Sequence, residues 1–142
     1  MKTKGHATFA LKQWDEKPYI EMEDGSKLTK SFNIYTYEGD ITGECHLEYL
    51  MTYNPDQSGS SVGIERIVGT LGGKTGTFVI MRSGTFNKDG VWEKWFVAPG
   101  SATGELKGLR AEGTLNLAGH MERYPTDFEY EFVEEPESTQ EK

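Results

Sequence analysis

A chain of 142 residues has room for one domain with its own core, and a formal net charge of -8 with a pI near 4.9 repels nucleic acid and anionic membrane surfaces. Aromatic residues form 12% of it and offset a hydrophobic share of only 35%, because each ring buries a large area. The lone cysteine, Cys45, excludes an internal disulfide, and the opening stretch MKTKGHATFALKQW lacks the apolar run of a signal peptide, so a cytoplasmic location is expected.

Period-two alternation runs through nearly the whole sequence, and no segment holds a helical period beyond a turn or two. Strands are expected at Thr3 to Trp14, Leu28 to Glu38, Thr42 to Tyr53, Ser60 to Leu71, Thr75 to Phe86, Val91 to Ala98, Arg110 to Ala118 and Tyr124 to Val133. The connections EDGSK, EGDITG, NPDQSG, LGGK, NKDG and LAGHM carry the glycine, asparagine and aspartate that tight turns need. About eight strands joined in sequence make an all-β fold, a single closed antiparallel barrel of mostly up-and-down topology or a closely related sandwich, with closure removing the exposed edges. Residues 1–133 form this domain, and the acidic segment 134–142, EEPESTQEK, is expected to be a mobile tail.

The run GTLGGKTG, Gly69 to Gly76, resembles a phosphate-binding loop. That motif needs a glycine five residues before Gly-Lys-Thr, where this chain has Val68, and a helix after it, where this chain continues with the alternating TGTFVIMRSGTF. Gly72-Gly73 is instead the centre of a two-residue hairpin turn, whose two positions require positive φ. The turn sets a register: Leu71 faces Lys74, Ile67 faces Phe78, Glu65 faces Ile80 and Gly63 faces Arg82. Continued through NKDG, it sets Phe86 against Val91, Trp95 against Arg82 and Val97 against Ile80.

One face then collects Glu65, Ile67, Leu71, Phe78, Ile80, Arg82, Phe86, Glu93, Trp95 and Val97, and its bulky apolar middle marks it as the interior. Glu65 and Arg82, with Glu48 as a third candidate, are charges on an apolar surface and need partners. They are read either as a structural ion pair filling the barrel or as polar anchors of a site. Cys45 and His46 are adjacent on a strand and point to opposite faces, and His6 and His120 are far apart, so no metal site and no cofactor is expected. The outward apolar residues Ile64, Val68, Val79, Met81 and Phe96 point to burial against a partner subunit, with a homodimer expected first and a trimer next.

Taken together, WDEKPY (Trp14 to Tyr19), EYLMTY (Glu48 to Tyr53), GIERIVGTLGGKTGTFVI (Gly63 to Ile80), SGTF (Ser83 to Phe86) and PGSATGELKGLRAEG (Pro99 to Gly113) resemble an uncharacterised bacterial family, domain of unknown function 3224. The resemblance spans Gly5 to Phe132 and implies a small calycin-like β-barrel similar to that of allene oxide cyclase, commonly an oligomer, with no established activity. The segment Ala102 to Arg110 also resembles a framework turn of allene oxide cyclases and dirigent proteins, with Ala102 where glycine is frequent there. Arg82 stands where histidine is expected in many relatives, and no catalytic residue of the cyclases aligns with this chain, so none is carried over.

Three functions fit these readings. The first is a barrel that binds one small apolar or amphipathic molecule, lined by Phe78, Ile80, Phe86 and Trp95, with Glu65 and Arg82, and Glu48 beside them, orienting it. The second is a cyclase or isomerase in which Glu65 or Glu48 moves a proton and Arg82 stabilises negative charge. The third is a structural oligomer with a filled barrel.

Overall fold

The computed structural model describes residues 2–119 and 122–134; His120 and the expected acidic tail from residue 135 onward lie outside the described residues. Eight antiparallel strands close into a barrel in the order β1 to β8, each beside its neighbour in sequence: β1 Thr3–Glu21, β2 Lys27–Gly39, β3 Ile41–Tyr53, β4 Gly59–Leu71, β5 Lys74–Asn87, β6 Gly90–Val97, β7 Leu109–Leu117 and β8 Tyr124–Phe132. Closure by the β1–β8 pair decides against the sandwich. Eight strands enclose a space that inward side chains can fill.

The central hairpins have the expected register. Glu65 pairs with Ile80, Gly63 with Arg82, and Arg82 with Trp95. Gly72 and Gly73 adopt φ of 62° and 85°, the positive pair that a tight hairpin turn requires. A sequence strand that must end at Leu71 and restart at Lys74 therefore needs two glycines here.

β1 runs seven residues beyond its expected end at Trp14, to Glu21. The stretch DEKPYIE reads as loop because Pro18 and the charges break the alternation. In the fold it stays paired with β2, with irregularities between Leu11 and Gln13 and between Pro18 and Ile20. β1 pairs with β8 only from Thr3 to Phe9, so its second half offers one free edge among the described residues. The bulges, Pro18 and Lys17 blunt that edge against further pairing.

The β6–β7 connection runs beside β5, where the Ala98 and Thr103 N–H groups donate to the Val79 and Thr77 carbonyls, and forms a 3-10 turn at Gly104–Leu106. Glu105 accepts a hydrogen bond from Thr75 N–H at 2.8 Å, and Leu106 is fully buried in the core cluster. Elsewhere the wall is thin where rings lie across glycines. A Cβ on Gly113 would sit 2.5 Å from the Trp95 ring and 2.8 Å from the Asp127 carbonyl oxygen, and Trp95 is itself held by its indole N–H to Thr126 at 3.0 Å. Gly113→Ala is therefore expected to lower stability by about 1–3 kcal/mol through overpacking. Urea unfolding followed by tryptophan fluorescence measures this, and an unchanged midpoint would show that the ring moves aside freely.

Candidate functional site

The inward residues of β2 are Thr29, Ser31, Asn33, Tyr35 and Tyr37, all buried, so this wall of the interior is polar over its first half and continues as two tyrosine rings packed in the core. Opposite pairing on β3 brings in Cys45, Leu47, Tyr49 and Met51. From β4, β5 and β6 come Glu65, Arg82 and Glu93, all essentially out of solvent.

These groups form one network around the guanidinium of Arg82. Its Nη1 donates to Glu65 Oε1 at 2.9 Å, and Tyr37 donates its hydroxyl to Glu65 Oε2 at 2.8 Å. Glu93 accepts from the Tyr49 hydroxyl at 2.6 Å, while its Oε1 lies 3.3 Å from Arg82 Nε. That last approach is close enough to attract yet misaligned for a hydrogen bond, and both atoms lack one. Arg82 Nη2 and Asn33 Oδ1 are likewise buried without a hydrogen-bond partner. The guanidinium carbon lies over the ring of Phe9, 5.6 Å from its centroid, within the range of a cation–π contact.

Burial drives the protonation states. Burial works to lower the Arg82 pKa, but Glu65, Tyr37, Tyr49 and Glu93 more than reverse this, and the group stays charged. Burial, reinforced by the Glu65 charge, pushes the Tyr37 phenol well above its ordinary value; burial does the same for Tyr49, with Glu93 adding to it. The Cys45 thiol is raised by burial first and by Glu65 second, which leaves it protonated and a poor nucleophile. The tyrosines thus serve as neutral donors to carboxylates.

The expected site residues divide into three groups. Glu65 and Arg82 meet directly, and Trp95 lies opposite Arg82. Phe78 and Ile80 are packed in the core, while Phe86 is half-buried near the other end, edge-on to Tyr53 at 5.2 Å. Glu48 is a correction. It lies on the outer wall, more than half exposed, with Lys30 at 3.5 Å, because the odd-numbered residues of β3 face inward and position 48 falls on the other parity. Register places Glu93 on the inner face without marking it as a site residue, and Tyr37, Tyr49 and Asn33 carry no signal beyond their place in a strand.

Above the network, toward the β1–β2 turn, a concavity of about 490 Å³ is lined by Trp14, Glu16, Lys27, Thr29 and Tyr53 among others. Glu16 accepts there from Thr29 at 2.7 Å and Tyr53 at 2.6 Å. Two wider grooves, about 740 and 1120 Å³, lie along the outer wall. Phe78, Ile80, Phe86 and Glu65 line none of these three.

A family profile described as a protein of unknown function, DUF3224, matches residues 5–130. The chain belongs to the DUF3224 family. A crystal structure of a DUF3224 protein of unknown function from Shewanella oneidensis MR-1 is similar to it, with a TM-score of 0.75 and 25% identity, covering 94% of this chain and 100% of that one. No curated protein sequence matches the chain. Membership of DUF3224 brings the barrel and no activity with it, so function has to be argued from the interior network. No described helix is long and apolar enough to cross a membrane.

Proposed function

We propose that this barrel binds one small amphipathic molecule, entering from the Trp14–Tyr53 end, with its polar group held beside the Arg82–Glu93 pair. The observation that carries this is the set of buried polar atoms left without partners: Arg82 Nε and Nη2, Glu93 Oε1 and Asn33 Oδ1. An unsatisfied buried donor or acceptor costs about 1–3 kcal/mol, more when charged, so several such atoms in one core call for a guest. Two donors beside an acceptor suit a group that both accepts and donates, such as a hydroxyl next to a carbonyl. A cyclase or isomerase with Glu65 as proton carrier has less support, because both Glu65 oxygens already accept, from Arg82 and from Tyr37.

Native mass spectrometry of protein purified from its own cells is expected to find a small molecule retained by the wild type and lost from Glu93→Gln, which keeps shape but not charge. Bare wild-type chains, with ordered waters filling the Arg82 and Glu93 positions in a crystal structure, would favour the filled structural barrel instead.

A further inference from the structure

We infer that the outer wall of β2 to β6 is a two-fold interface between two copies of this chain. Because β2 turns its polar residues inward, its apolar residues Phe32 and Ile34 point out and continue the surface of β3 to β6. Leu50, Val62, Ile64 and Phe96 on that surface are each between 48% and 55% exposed, and they flank the groove of about 740 Å³. Isolated exposed apolar residues are ordinary, but a contiguous patch of large ones on a soluble-type wall marks an interaction site.

The register shows which groups would meet. One row across the strands reads Phe32, Glu48, Ile64, Met81 and Phe96; the next reads Ile34, His46, Arg66 and Val79. With strands about 4.8 Å apart and a rise of about 3.3 Å per residue, the patch is roughly 20 Å on a side, and covering it on two copies buries on the order of 1,000 Å², the size of a small specific interface. A net charge of -8 sets two copies against each other on average, so contact needs a locally complementary face. This face carries one. Arg66 has no ion-pair partner among the described residues, while Glu48 has only Lys30 at 3.5 Å. A two-fold axis crossing the diagonal between Glu48 and Arg66 sets Arg66 of one copy over Glu48 of the other and brings Ile64 close to its own symmetry mate, and symmetry makes the charge contact twice.

Sedimentation velocity of the full chain over a range of concentrations tests this. The wild type is expected to sediment at twice the 16.0 kDa protomer mass. Ile64→Glu should raise the dimer dissociation constant by about a hundredfold or more, and Arg66→Glu by about tenfold. Adding Glu48→Arg to Arg66→Glu should bring it back to within about threefold of wild type, since the contact is then reversed and not lost. Circular dichroism checks that each variant folds, and if Ile64→Glu does not, the charge reversal alone decides. A wild type that stays at 16.0 kDa throughout overturns the inference, as does a dimer indifferent to these substitutions or one that the double reversal fails to rescue.

Discussion

Arg82→Met should lower the stability of the barrel by about 3–5 kcal/mol, the largest loss of any single substitution considered, because it removes the cation and leaves the carboxylates behind. Glu65 and Glu93 are both buried, and Arg82 is the cation within ion-pair distance of each. Without it each carboxylate must either remain charged in a low-dielectric interior or take up a proton. The loss should therefore ease as the pH falls, the reverse of ordinary acid unfolding. A triple variant, Arg82→Met with Glu65→Gln and Glu93→Gln, should recover much of the deficit, since amides can still accept from Tyr37 and Tyr49. Chemical unfolding curves at several pH values measure all of this. A single-variant loss under about 1 kcal/mol would mean that water already reaches the network.

Raising the pH should unfold the protein cooperatively, and the interior tyrosines set the direction. Tyr35, Tyr37 and Tyr49 have pKa values raised above the ordinary 10.0, chiefly by burial. In the unfolded chain these phenols lose their protons near pH 10, and in the fold they keep them. Below pH 10 both states hold the proton and the contribution is constant. Above it the folded state holds more protons than the unfolded one, so stability falls by about 1.4 kcal/mol per pH unit for each phenol, roughly 4 for the three. Tyrosinate absorbance should rise in two stages: exposed phenols first and reversibly, buried ones together with the loss of the β-sheet circular dichroism signal. Tyr37→Phe and Tyr49→Phe should each make the second stage shallower. If all seven tyrosines titrate smoothly near pH 10 while the sheet signal persists, the interior is wet and the proposed site is open to solvent.

The sequence determined the strand content, the β4–β5–β6 register and the meeting of Glu65 with Arg82, because a two-residue Gly-Gly turn admits one pairing and alternation then propagates it. It did not determine β3, where the longer NPDQSG connection transmits no register and both parities of HLEYLMTY hold apolar residues, so the parity that sends Glu48 out and Tyr49 in is not legible there. β2 lies further from legibility. Its most hydrophobic outward set includes Leu28, Phe32 and Ile34, while Thr29, Ser31 and Asn33 are inside, against the rule that the apolar face of a strand turns to the core.

Only barrel closure decided that inversion. Once β1 pairs with β8, every strand has a fixed inward parity, and the energy of the whole hydrogen-bonded ring outweighs the preference of one strand for burying its own apolar side. The inversion adds Asn33 Oδ1 to the unpartnered polar atoms inside, and Phe32 and Ile34 to the apolar residues outside, the two features that point to a ligand and to a second copy. Neither can be seen in a single strand, because each depends on which of two faces the other seven strands enclose.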